Sequence, residues 1–338
     1  MAQDSDEFIK NEIFNNVGQP GNSHLRIFQQ TSNFDHNDIS EGGLTFSVGN
    51  LKYGSCDAMW FNDSSFYYSG TQQYLNIKPI IALEGTDCLS RGSNGNAQYQ
   101  RFHHALGAVK NGVIGIYYLK EGNSSVSADL YYMAYKASKI EKGTYLILQD
   151  LKVVKEILEA DQDPDLQNHI IHRELNNMIQ LWNIKFHGQY KNNWDIYAKK
   201  RNLVIYNDSI IKITGRNYRN FTDSSQRAGH IAVGEMYLTK YFFPDKKLYY
   251  TFPRMSLEEK NDLDSNSNSK EWNLLRKEEN VEIICRDEIV NLDNKYINNL
   301  IDISTLPLKG SPLRLWNSIK KELINEFHEK RINIQANY

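Results

Sequence analysis

Cys56-Asp57-Ala58-Met59-Trp60-Phe61 and Pro79-Ile80-Ile81-Ala82-Leu83-Glu84 are two apolar runs of strand length, each carrying one carboxylate at its edge. Runs this short read as buried strands. A carboxylate beside a buried strand is costly unless it is paired or holds a metal. Downstream, Phe102, Ala105, Leu106 and Val109 share one face of a helix predicted over Ala97–Lys110, and Gly112 follows as its stop. A third apolar run, Val113–Leu119, completes the order strand, strand, helix, strand. This order predicts an α/β (α+β) core with a mixed central sheet flanked by helices.

Outward from this core, a helix is expected near Asp6–Asn16, a strand near Ser127–Met133 and another at Gly143–Leu148. Helical spacing marks Leu148–Glu159 and Asp165–Trp182, and strands return at Leu203–Ile205, Ile210–Ile213 and Lys247–Phe252. Residues 258–271 read as a mobile surface loop and Leu313–Lys330 as an amphipathic helix. The expected organisation is an arm (1–40), a catalytic core with a helical extension (41–184) and a basic region (185–338). No internal repeat is present.

Two carboxylates on consecutive strands, followed by a helix and a further strand, resemble the PD-(D/E)XK nuclease superfamily, and within it the type II restriction endonucleases. The segment Gln98-Tyr99-Gln100-Arg101-Phe102 is similar to a Gln-x-x-(Arg)-aromatic pattern that follows the core motif in some members. The resemblance covers about residues 50–120. It implies that Asp57 and Glu84, with the Gly85 carbonyl, hold Mg2+, and that Gln98 lies nearby. The lysine that orients the attacking water in the family falls at Thr86, and Thr86, Lys110 or Lys78 could supply that role. Oxygen ligands of this kind suit a hard cation. The alternative is that Asp57 caps a turn and Glu84 pairs with Arg91 or Arg101.

The net charge of -2 hides an asymmetry. Between Lys185 and Arg254 thirteen Lys or Arg face five Asp or Glu, a local surplus of eight. A basic segment in a near-neutral chain points to a localised anionic partner. Arg216, Asn217, Arg219, Gln226 and Arg227 fall within twelve positions, with Lys199, Lys200 and Arg201 just upstream. Arginine, asparagine and glutamine are the side chains that read guanine and adenine edges bidentately in the major groove. Arg91, in the glycine-rich loop Gly85–Asn96, is placed to follow a DNA phosphate. The plain alternatives are a solvated basic face and a connecting loop.

Other chemistries find little support in the sequence. Gly115-Ile116-Tyr117 spells half of the GIY-YIG nuclease signature, but the second half is missing. His169 and His172 lie on a predicted helix without a further ligand cluster, and His103 and His104 fit a helix face. No phosphate-loop or dinucleotide glycine pattern occurs. Three cysteines are too few for a disulfide framework. No apolar run is long enough to span a membrane, and the acidic first residues carry no signal core, so a cytoplasmic protein is expected.

The sequence therefore leads to a Mg2+-dependent, sequence-specific double-stranded DNA endonuclease. A palindromic target would call for a homodimer, and a restriction system for a DNA methyltransferase as companion. A non-catalytic nucleic-acid-binding protein is the second expectation. If Arg216 and Arg219 read base edges, alanine at either position should weaken cognate binding about one to two orders of magnitude more than random binding. Titrations on cognate and scrambled duplexes at several salt concentrations check this. A uniform loss, with the salt slope reduced by about one unit per charge, would assign them to phosphates. Unchanged binding on both duplexes would remove the segment from the interface.

Overall fold

The structure is a computed structural model. It describes residues 5–27, 45–62, 78–86, 97–119, 126–191, 193–207, 209–215, 227–266 and 269–296. The first half runs α1 (Ser5–Asn16), β1 (His24–Ile27), β2 (Thr45–Val48), β3 (Leu51–Ser55), β4 (Ala58–Phe61), β5 (Ile81–Thr86), α2 (Ala97–Gln100), α3 (Phe102–Lys110), β6 (Ile114–Leu119), α4 (Ala128–Ile140) and β7 (Thr144–Leu148). Next come α5 (Lys152–Glu159), α6 (Pro164–Tyr190), α7 (Trp194–Arg201), β8 (Leu203–Asn207), β9 (Ile210–Thr214) and α8 (Arg227–Phe242). The described residues end with β10 (Lys247–Phe252), α9 (Leu257–Asn266), α10 (Lys270–Lys277), β11 (Val281–Cys285) and α11 (Arg286–Tyr296). The helix expected at Leu313–Lys330 lies outside the described residues.

A five-stranded sheet has the order β1-β4-β5-β6-β7. Its first two pairings, β1 with β4 and β4 with β5, are antiparallel, whereas β5, β6 and β7 run parallel. The mixed sheet flanked by helices is therefore present. The residues of β4 and β7, and nearly all those of β6, are buried, which is why they read as continuous apolar runs and not as alternating ones. Helix α3 packs on β5 and β6. On the other side Ile9 of α1 fills the space where a side chain at Gly85 would lie. The second sheet, β11-β10-β9-β8, is built from the basic half of the chain.

The two halves share one hydrophobic cluster that runs from Ile9 to Cys285. Helix α8 from the basic region supplies buried Val233, Met236, Tyr237 and Leu238 to it. The first 27 residues, expected as an arm, contribute α1 and the edge strand β1. Ile9, Ile13 and Val17 recur every four residues and are all buried. Residue 184, where the core was expected to end, lies inside α6. That helix begins at the Asp163 cap, whose side chain accepts from Leu166 N at 3.1 Å, and ends at Lys191 in the left-handed region.

Two expected elements are corrected. Residues 127–133 form the start of helix α4 and not a strand. This helix is buried nearly all round, so its sequence shows little helical period. Its first amides are held by distant side chains: Gln98 accepts from Ser127 N at 2.7 Å and Gln189 from Ala128 N at 2.9 Å. The supposed loop at 258–271 is mostly helix. Ser256 and Glu259 form a reciprocal capping box, with Glu259 N donating to Ser256 Oγ (3.1 Å) and Ser256 N to Glu259 Oε2 (2.7 Å). Among the described residues no helix is long and apolar enough to cross a membrane.

Gly234 marks where α8 meets α2. A Cβ there would lie 2.0 Å from the Tyr99 carbonyl oxygen, which is backbone and cannot swing away. Gly234→Ala should destabilise the fold by about 1–3 kcal/mol, the scale of an overpacked core. Urea unfolding of the variant measures this, and an unchanged midpoint would show that α8 does not sit as described.

Candidate functional site

Asp57 precedes β4, and Glu84 lies near the end of β5. Ala58 pairs with Leu83 in the antiparallel register, so one step further Asp57 falls opposite Glu84. Asp57 Oδ2 accepts a hydrogen bond from Gly85 N at 2.7 Å, which fixes its carboxylate against the neighbouring strand. Glu84 is 1% exposed and faces α3, where His104 Nδ1 stands 3.3 Å from its Oε2. The imidazole of His104 lies against Gly54, where a Cβ would come within 2.5 Å of the ring. Gly54 has φ +116, a conformation that suits glycine.

Arg101, in the break between α2 and α3, joins the acids. Its Nη1 lies 3.3 Å from Glu84 Oε1, 3.5 Å from Gly85 O and 3.7 Å from Asp57 Oδ1. Those are the three groups that the family resemblance implies as metal ligands. One positive nitrogen thus marks a point on which two carboxylates and a backbone carbonyl converge, and that donor set fits a hard divalent cation. Among the described residues, no group of three or more His, Cys, Asp or Glu side chains forms a metal site. The third oxygen here belongs to the main chain. The pairing of Glu84 with Arg101 is the alternative that the sequence allowed.

Burial pushes the Cys56 thiol well above its usual range, and the Glu84 and Asp57 carboxylates add to the effect. Cys56 is therefore an inert wall of the site and not a nucleophile. Tyr145 lies two strands away, on β7. Its hydroxyl donates to Phe102 O at 2.8 Å, and burial raises its pKa, with Tyr117, Cys56 and Glu84 contributing.

Several predicted site residues lie elsewhere. Gln98 is buried, and its side-chain oxygen accepts from Ser127 N at the start of α4. Lys110 is six residues beyond His104, about 9 Å along the helix. Its Nζ pairs with Glu141 at 2.8 Å and stands over the rings of Tyr53 and Tyr237. Lys78 precedes β5, and its Nζ neighbours Gly112, just before the start of β6 and away from Glu84. Neither lysine joins the carboxylates. Thr86 ends β5, next to Gly85.

Arg201 was expected to meet phosphate but is 4% exposed. It is bound to buried Asp129 and to the Tyr99 hydroxyl, so it belongs to the core. A buried aspartate requires such a partner, which composition alone did not reveal. Lys199 and Lys200 are exposed on α7, and Lys200 donates to Gln189 O at 2.8 Å. Arg91, Arg216, Asn217, Arg219 and Gln226 lie outside the described residues, as does the Arg227 side chain.

Arg101 and His104 are the residues whose importance the sequence only hinted at. His104 lies in the first turn of α3 and Arg101 just before that helix, and both meet the buried acid on the preceding strand. No family model, curated protein or solved structure matches this chain.

Proposed function

We propose that this protein is a Mg2+-dependent, site-specific deoxyribonuclease of the type II restriction class, with a restriction-endonuclease-like core. One observation carries the reading: Asp57 Oδ1, Glu84 Oε1 and Gly85 O converge on a single cationic point. The setting supports it too. Glu84 and Gly85 lie at the carboxyl end of β5, the end of parallel strands where α/β sheets place their ligands. Helix α3 and the parallel strand β6 follow in the order that the resemblance implies.

Asp57, Glu84 and the Gly85 carbonyl would hold the Mg2+. Once bound, the ion lowers the pKa of a coordinated water and neutralises charge developing on the scissile phosphate. The chain's own part is positional. Gly85 N–H orients Asp57, and His104 stands against Glu84, which is buried. Preset oxygens of this kind need no rearrangement as the phosphate charge develops. Thr86, beside the ligands, is the remaining candidate for orienting the attacking water. The basic segment around Arg216–Arg227, with Lys199 and Lys200, would contact double-stranded DNA. A homodimer would cut both strands of a palindrome, in the cytoplasm, alongside a cognate methyltransferase.

A second reading has one observation behind it. Arg101 stands between both acids, as it would in a nucleic-acid-binding protein whose carboxylates are structural. The two readings separate on plasmid and phage DNA incubated with Mg2+ or with EDTA. The nuclease gives discrete fragments with Mg2+ alone. Asp57→Ala or Glu84→Ala abolishes cutting and leaves duplex binding in Ca2+ largely intact. A variant that cuts at the wild-type rate would overturn the site. Tight binding without cleavage by the wild type would favour the second reading.

A further inference from the structure

The contacts of Arg101 Nη1 with Glu84, Gly85 and Asp57 are longer than those of a tight charge-assisted hydrogen bond, which lie at about 2.7–2.9 Å. Its Nη1 stands 3.3 to 3.7 Å from three oxygens. Its side chain is 25% exposed, so a path to solvent is open. Arg101 precedes helix α3 with φ -116 and ψ 1, and its side chain does not cap that helix. The contrast with His104 is sharp. That ring is wedged beneath Gly54 and meets the other oxygen of Glu84, Oε2. Glu84 therefore has a largely buried neighbour at Oε2 and a partly exposed one at Oε1.

Charge makes the replacement exclusive. Two carboxylates with one guanidinium leave a net charge of minus one, and with one divalent ion they leave zero. Both cations at the same three oxygens would stand within a few ångströms of each other, where like charges repel strongly. We propose that Arg101 is a resident cation of this site, which competes with the divalent ion and must swing out before the ion can load. In the metal-free protein it keeps Asp57 and Glu84 from repelling each other. This inference rests on the reading of Asp57, Glu84 and Gly85 as the metal ligands. It makes Arg101 a positioning residue whose removal should improve metal binding, the opposite of what damage to the fold would do.

The test uses the full chain and Mn2+ alone, with free ion followed by electron paramagnetic resonance. Arg101→Gln should bind Mn2+ about tenfold tighter than the wild type or better, because a like charge beside the ion has gone. Arg101→Lys, shorter and unable to span the oxygens, should fall between them. Circular dichroism identifies which variants are folded, and either folded variant decides the matter. Unchanged or weaker binding in a folded variant overturns the proposal. Glu84→Gln in the wild-type background should remove the binding. If it does not, the ion sits elsewhere and the underlying site reading fails. No Mn2+ binding by the wild type or any folded variant overturns both.

Discussion

The antiparallel pairing of β4 with β5 is the constraint on which the rest depends. Ala58 opposite Leu83 sets Asp57 opposite Glu84, and the hydrogen bond from Gly85 N to Asp57 Oδ2 locks that register at its end. A slip of one residue would turn Glu84 away from α3 and drive an apolar neighbour to the site. Burying Glu84 is costly, by several kcal/mol for an unpaired carboxylate. The strand pair therefore specifies its surroundings: Arg101 on one oxygen, His104 on the other, and a glycine at position 54 to admit the ring. The helix that carries His104, with Arg101 just before it, lies in the crossover from β5 to β6, so the fold and the site have a common origin.

The same principle explains why the basic half cannot be separated from the core. Helix α8 meets α2 at Gly234, and Arg201 reaches Asp129 and Tyr99. Tyr99 is two residues from Arg101. The element that carries the site's cation is thus braced from behind by the half of the chain that holds the basic surplus.

Much of this architecture was legible. Strands β4 to β7 and helix α3 follow from apolar runs and a helical face, because they are buried and continuous. Helix α4 was misread as a strand, since burial nearly all round erases its period and Gln98 and Gln189 from other elements set its start. Helix α9 was missed although Ser256 and Glu259 spell a capping box, a local signal outweighed by the polar run after it. At the site, the two acids were found because charge inside an apolar run is anomalous. Gln98, Lys110 and Arg201 lie away from the paired carboxylates. A long polar side chain reveals in sequence neither its direction nor its partner, and all three are engaged at distant sites.

The central claim is that three oxygens of Asp57, Glu84 and Gly85 form a divalent-cation site. Anomalous diffraction from a crystal grown with Mn2+ addresses it most directly. The account predicts one strong peak bounded by Asp57 Oδ1, Glu84 Oε1 and Gly85 O, with the Arg101 guanidinium displaced from that point. A crystal containing Mn2+ elsewhere, or none, with Arg101 still bridging the two carboxylates, would contradict it.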